Sequence, residues 1–175
     1  RSFHVTGVQT CALPISLENL RLTIGAHDLE TQILANKFYP CGVFNLSITP
    51  SAQIERTHEV MKRAFHSKGG PWTRSHMPRT VLVFHDKDHQ KAKQKAFKAM
   101  ETYWKAIEGT LDPEKVRNAV DNALVGDSAG IAEDARKRFH ADDRLMLWFD
   151  FNNHDNEDVE RSMRAFFEEV APQLS

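Results

Sequence analysis

The chain has 175 residues, of which 41% are hydrophobic and 27% are charged, a composition ordinary for one soluble globular domain. Its 23 basic and 24 acidic residues leave a formal net charge of −1, so no positive excess indicates nucleic acid or an anionic membrane as a partner. The first apolar stretch, residues 5–16, is also shorter than the ~20 apolar residues of a membrane span. We therefore expect neither nucleic acid nor membrane binding.

Residues 5–16, VTGVQTCALPIS, resemble letter for letter the translation of a common sequencing-adapter oligonucleotide. They have neither helical nor strand periodicity, and polar residues interrupt the apolar run that a signal peptide needs. We interpret residues 1–16 as a non-native segment and residues 17–175 as a partial domain of a longer natural protein. Without Cys11, Cys41 cannot form an internal disulfide, and we expect a reducing, cytoplasmic location.

Four strand-like segments alternate with helical segments along the rest of the chain. The predicted strands lie at residues 20–26, 42–47, 79–85 and 144–151. The predicted helices lie at residues 28–38, 51–65, 88–108, 111–124 and 156–174, with a turn into a further helix over residues 125–139. The last strand, RLMLWFDF, is apolar throughout, which predicts burial on both faces. This alternation predicts a parallel sheet with helical crossovers, either a free-standing doubly wound sheet or part of a barrel.

Three polar stretches invite a ligand-binding interpretation that their spacing does not favour. His85 and His89 are four residues apart, but His85 ends a strand, so helical spacing for a metal does not apply. The stretch 150–158 lacks the glycine and glutamate of an EF-hand calcium loop. VGDSAG, at residues 125–130, matches neither common phosphate-binding glycine motif. We expect a solvated turn, a polar loop and a helix cap, respectively.

The stretch IGAHDLETQILAN, at residues 24–36, has more promise as a binding site. A strand ends at Gly25 and Ala26, and the chain then enters a helix whose first backbone amides are free. In parallel α/β folds such a helix start binds anions, because unsatisfied N–H groups and the helix dipole point toward the ligand. The alternative is an ordinary helix cap by Asp28.

Together these segments resemble the C-terminal half of the bacterial-luciferase-like, flavin-dependent monooxygenases. VGDSAGIAEDARKRF, RLMLWFDF and SMRAFFEEVAPQL resemble the last βαβα passage of that family. DLETQILAN…YP is similar to its Ser-Pro-x-Thr-x-x-x-Ala-Ala…Gly-x-Pro pattern, and RTVLVFHDKDHQKAKQKA lies between the two in the family's order. The resemblance covers most of residues 20–174. It implies an α/β fold: the C-terminal half, about four βα units, of a (β/α)8 TIM barrel with parallel strands and helical crossovers.

The resemblance also implies a function for the parent protein. It would be a flavin-dependent monooxygenase or oxidoreductase that uses reduced flavin, supplied by a reductase, and O2 on a small organic substrate. The cofactor would be FMN or, alternatively, the deazaflavin F420. A barrel site draws residues from several strand ends, and the family's catalytic residues lie largely in the other half. We therefore expect the fragment to be inactive alone and assign no catalytic residue and no metal. The alternative is a non-catalytic flavin-binding or structural subunit.

The family's serine and threonine, three residues apart at this helix start, hold the cofactor phosphate. If the motif is aligned forwards, they correspond to Asp28 and Thr31. If it is aligned backwards from Pro40, they correspond to His27 and Glu30. Either alignment puts an acidic residue where a hydroxyl is expected, and like-charge repulsion weakens phosphate binding.

Phe44 and Asn45, at the end of the second strand, match family positions near the isoalloxazine ring. They complete the cofactor-binding residues that the resemblance implies. A half barrel also leaves two strands unpaired, and exposed strand edges template association. We therefore expect a homo-oligomer, with the edge beside residues 20–26 as one seam.

Overall fold

The computed structural model describes residues 20–26, 28–47, 49–107, 113–151 and 155–174. The segment interpreted as adapter-derived, residues 1–16, lies outside the described residues. In chain order the main elements are β1 Leu22–Ile24, α1 Leu29–Asn36, β2 Cys41–Val43, α2 Ser51–Ala64, β3 Arg79–His85, α3 His89–Ile107, α4 Pro113–Asp121, β4 Leu124–Gly126, α5 Ser128–Arg138, β5 Leu145–Trp148 and α6 Asn156–Ala165. Short 3-10 helices lie at Ser67–Gly69 and Arg74–His76, and α6 continues into a π-helical turn at Phe166–Val170 and a 3-10 turn at Ala171–Gln173.

Every described strand pair is parallel. β1 pairs with β2, and β3 pairs with β4 and with β5. The predicted strands correspond to β1, β2, β3 and β5, and each predicted helix is present. The predicted parallel sheet with helical crossovers is therefore confirmed.

The hydrogen bonds of β3 fix the order of the strands. The Thr80 amide donates to the carbonyl of Asn45 at 3.2 Å, and the Asp86 amide donates to Gly126 at 3.1 Å. The Arg79 amide donates instead to the carbonyl of Arg144, directly before β5, at 2.9 Å. Successive amides of a strand point to opposite edges, so the extension of β2 and β4 share one edge of β3, and β5 takes the other. Across the sheet the strand order is therefore β1, β2, β3, β5, which is also their order in the chain. The short β4 lies beside the carboxyl end of β3, at the same edge as the extension of β2.

β4 is a strand that the sequence interpretation missed. Residues 125–127 were expected to form only a turn, but Leu124–Gly126 pairs with the end of β3. Gly126 has a φ of 148°, a conformation that favours glycine, and a Cβ there would lie 3.1 Å from Nδ1 of His89. The expected cap follows at once, because the Asp127 carboxylate accepts the Gly130 amide at 2.8 Å.

Both faces of β3 are buried, as the apolar run at residues 79–85 indicates. Val81 and Val83 pack with Ile131 of α5 and with the turn after α6. Leu82 and Phe84 pack instead against α3 and α4. The crossovers from β3 to β4 and from β4 to β5 run in opposite directions across the sheet. Because such crossovers are right-handed, their helices lie on opposite faces.

The prediction that β5 is buried on both faces is wrong. Leu145 and Leu147 are half-buried and pack on the core beside α5, but Met146 and Trp148 are 43% and 47% exposed. Trp148 pairs in register with Leu82, so these two side chains lie on the face that α3 and α4 cover over β3. This face lies opposite the one that α2 and α5 cover.

Candidate functional site

The carboxyl ends of β1 and β2 lie side by side. Ile24 pairs with Val43, and the Phe44 amide donates to the Ile24 carbonyl at 2.8 Å. The chain that enters α1 and the chain that continues to Phe44 and Asn45 therefore leave the sheet at the same end. The two segments that the resemblance associates with the cofactor thus come together at the edge where barrel proteins place their sites.

At the start of α1, the side chain of Asp28 caps the helix. Its Oδ1 accepts a hydrogen bond from the Thr31 amide at 2.7 Å, while its own backbone is extended. The side chains of Asp28, Glu30 and Thr31 are all exposed. The Thr31 amide, one of the donors expected for an anionic ligand, is therefore occupied by a carboxylate of the chain itself. His27 lies outside the described residues.

An open groove of 720 Å³ separates the starts of α1 and α2. Asp28 and Glu30 lie on one side of it and Arg56 on the other. The Arg56 guanidinium is exposed and has no hydrogen-bond or ion-pair partner among the described residues. It is a cation that the sequence interpretation missed, because no motif marks a basic residue one turn into the second helix.

Phe44 and Asn45 present their side chains to opposite faces. Asn45 forms a parallel bridge with Arg79, so the two side chains share a face with Val43, which packs against α2. Asn45 is 6% exposed, and its Nδ2 has no hydrogen-bond partner among the residues the structure describes. Phe44 is half-buried on the other face. Of the two, Phe44 lies on the face opposite α2.

A second polar group lies at the carboxyl end of β3. Ser128 donates to Glu169 at 2.5 Å, and Nε2 of His85 lies 3.0 Å from the same Ser128 hydroxyl. Because that hydroxyl proton goes to Glu169, His85 is the donor to Ser128. Burial lowers the pKa of His85, although Glu169 and Asp86 oppose that shift. Ser128 therefore accepts from His85 and donates to Glu169, which joins the end of β3 to the start of α5 and to the turn after α6.

Lys95 connects α3 to the start of α6 beside this group. Its Nζ lies 3.0 Å from Asp86 and 2.8 Å from Asp158, which also pairs with Arg161. Burial alone would lower the pKa of Lys95, but the hydrogen bonds to Asp158 and Asp86 raise it. These charges neutralise each other around a cavity of 400 Å³. Within the described ranges, no group of three or more His, Cys, Asp or Glu residues could hold a metal ion.

The parallel strands with helical crossovers match about half of each of several solved structures, which agrees with the predicted half of a (β/α)8 TIM barrel. The chain is similar to the monooxygenase RslO1 from Streptomyces bottropensis, with 24% identity, a TM-score of 0.68, and coverage of 89% of this chain and 48% of that one. No protein-family model and no curated protein matches the sequence.

Two further structures share the fold at lower identity. One is the oxygenating constituent of 3,6-diketocamphane monooxygenase from the CAM plasmid of Pseudomonas putida, a type II Baeyer-Villiger monooxygenase in complex with FMN, with 19% identity, a TM-score of 0.58, and coverage of 86% of this chain and 47% of that one. The other is the coenzyme F420 dependent tetrahydromethanopterin reductase from Methanopyrus kandleri, with 14% identity, a TM-score of 0.52, and coverage of 89% and 51%. The chain spans about half the length of each.

Proposed function

We propose that this chain forms one half of a flavin-dependent oxidoreductase barrel of the monooxygenase class. The parent would use reduced flavin, supplied by a reductase, and O2 on a small organic substrate. The observation that carries the proposal is the meeting of the α1 start and Phe44 at the carboxyl ends of adjacent parallel strands. The FMN complex and the F420 dependent enzyme among the similar folds support a flavin-type cofactor. We take FMN as the first choice and F420 as the alternative.

We call the start of α1 together with Phe44 the flavin corner. Its residues do not fit a cofactor phosphate as they stand. Asp28 already holds the Thr31 amide, and Glu30 adds a second negative charge to the groove, whose described lining has one cation, Arg56. A phosphate would have to displace one carboxylate and lie beside another, which like-charge repulsion opposes. We therefore infer that the chain alone binds FMN weakly and catalyses no reaction.

The same hydrogen bond favours a second candidate function. A helix start that is already capped by Asp28 needs no ligand, which suits a non-catalytic subunit of the same fold. For either function we propose a cytoplasmic homo-oligomer. No helix among the described residues has the length and apolar character that crossing a membrane requires.

Oxygen consumption by the complete barrel that contains residues 17–175, measured with NAD(P)H, FMN and a flavin reductase, tests the proposal. Consumption that requires both the barrel and FMN, above the rate of the reductase alone, supports a monooxygenase. Flavin binding without added oxygen consumption supports the non-catalytic alternative. A complete barrel that binds neither FMN nor F420 would contradict the monooxygenase and leave only the non-catalytic, structural subunit.

A further inference from the structure

A cavity of 390 Å³ lies at the opposite end of the strands from the α1 start. Arg21, directly before β1, and Arg144, directly before β5, line it together with Lys68. Because the strands are parallel, these positions share the amino-terminal end of the sheet. We call this space the basic cavity, since its described lining contains those three cations and no aspartate or glutamate.

The three cations of the basic cavity make no ion pair within the part of the chain that the structure describes. The side chains of Arg21, Lys68 and Arg144 are exposed, and none has a hydrogen-bond or ion-pair partner among the described residues. Like charges around one cavity repel each other and lower the stability of the fold. A purely structural role does not explain why they are gathered here.

Neighbouring arginines at the same end of the sheet, in contrast, are paired with carboxylates. Arg74 pairs with Glu55 at 2.6 Å and with Asp143 at 2.5 Å. Arg79, which is buried, also lies 3.5 Å from Asp143. Where arginine serves the structure at this end, carboxylates accompany it. The described lining of the basic cavity contains no such carboxylate, so its three cations are available to an anionic ligand.

The wall of the basic cavity is held in place by aromatic stacking and by a glycine. His76, which lines it, stacks on Trp72 with 5.4 Å between ring centroids, and its Nδ1 accepts the Thr73 amide. In the neutral ring the proton is then on Nε2, which is a donor. A Cβ on Gly42 would lie 2.5 Å from the His76 carbonyl oxygen, so only glycine lets this wall approach β2 so closely.

We propose that the basic cavity binds a small molecule that carries a phosphate group. Guanidinium groups match phosphate oxygens in geometry, and a lysine ammonium adds a compact charge. The volume lies within the range of small-molecule sites. This site is distinct from the candidate flavin corner, which lies at the carboxyl ends of the strands, and it does not depend on the proposed function.

Calorimetric titration of the chain with pyrophosphate at low ionic strength tests the proposal. We expect saturable binding that Arg21→Gln and Arg144→Gln each weaken about tenfold, because each removes a charge-assisted hydrogen bond. Lys68→Gln is a further variant with the same direction of effect. Since the cations are exposed, added salt weakens binding as well. The matched control is Arg63→Gln, at an exposed arginine of α2 that has no hydrogen bond or ion pair among the described residues and lies outside the lining.

Unchanged melting temperatures of the variants show that any loss of affinity is local. The proposal is overturned if the unmodified chain shows no saturable binding of pyrophosphate. It is also overturned if Arg63→Gln weakens binding as much as Arg144→Gln, because the attraction would then be one of overall charge. Asp127→Ser, at the cap of α5 near the other end of the strands, should leave pyrophosphate affinity unchanged.

Discussion

The carboxylate of Asp28 lies 2.7 Å from the backbone amide nitrogen of Thr31, at the helix start where the family resemblance implies a cofactor phosphate. Two other helices of this chain are capped by an aspartate in the same way. Asp127 accepts the Gly130 amide at the start of α5, and Asp155 accepts the Asp158 amide at the start of α6. The carboxylate supplies within the chain the negative charge that a bound anion would otherwise bring. Asp28 thus stabilises the start of α1 as its cap, and its negative charge opposes an anionic ligand there.

Replacing the Asp28 cap should separate its structural role from its charge. Asp28→Ala should lower the free energy of unfolding by about 1 kcal/mol, because the Thr31 amide loses its acceptor. Asp28→Ser should change it little, since serine caps nearly as well. Urea denaturation of the three proteins measures both effects. Equal losses for the two variants would show that the cap contributes nothing.

Asn36 should be a larger determinant of stability. Its buried Nδ2 donates to the Cys41 carbonyl at 2.9 Å, and its Oδ1 accepts the Cys41 amide at 3.0 Å, which ties the end of α1 to β2. Asn36→Ala should cost about 2 to 3 kcal/mol, because it leaves two buried backbone groups unpaired. The control is Asn118→Ala, at a half-buried asparagine of α4 with no described side-chain hydrogen bond. Equal effects in chemical denaturation would refute the special role of Asn36.

α1 shows why part of the fold could not be predicted from the sequence. Its apolar residues Leu29, Ile33 and Leu34 indicate a helix, and a helix is present. Yet Leu34 is 52% exposed, while Gln32 and Asn36 are buried. Helical spacing identifies an apolar stripe, but it does not reveal that Gln32 and Asn36 have backbone partners, the carbonyls of Ala26 and Cys41.

The stability of the chain should fall in mildly acidic solution because of His58. This side chain is 1% exposed and its Nδ1 accepts the Trp72 indole N–H at 3.1 Å. Burial, aided by Arg74, lowers the pKa of His58 to about 4. The unfolded chain, with a histidine pKa near 6.5, binds a proton between these values and the folded chain does not. Stability is therefore full above pH ~6.5 and is lost as the pH falls toward 4.

Comparison with His58→Gln isolates this effect. Glutamine can still accept from Trp72 but does not titrate. Between pH 7 and 4.5 the unmodified chain should lose roughly 2 kcal/mol more unfolding free energy than the variant. Denaturation curves at several pH values give the difference. Parallel pH profiles of the two proteins would show that His58 does not cause the loss of stability.

The chain alone should associate through its edge strands. In the described part of the sheet, β1 pairs only with β2 and β5 only with β3, and Met146 and Trp148 on β5 are exposed. Unpaired strands with apolar side chains template association. We expect dimers or larger species by light scattering at micromolar concentration, and Met146→Lys should shift them toward monomer. Phe97→Lys, at a comparably exposed residue of α3, should not. A monomeric unmodified chain would contradict this account.

β3 and β4 mark the limits of the sequence analysis for the sheet. β3 is apolar for most of its length and is buried on both faces, as its composition indicates. β4 has three residues, and the cap of α5 follows immediately, so its pattern reads as part of a turn. β5 has the composition of a buried strand, but its exposure depends on what covers its second face, which local sequence does not specify.

Titration of flavin fluorescence tests the central claim, that this chain contributes an incomplete flavin corner, most directly. We expect weak quenching of FMN by the unmodified chain and several-fold tighter binding by Asp28→Ser, which removes the repelling charge and adds a hydroxyl donor. If the backward alignment holds, Glu30→Thr should tighten binding instead. Asp127→Ser, the same change at the cap of α5, should have no effect. Tight FMN binding by the unmodified chain, or no response to either Asp28→Ser or Glu30→Thr, would contradict the account.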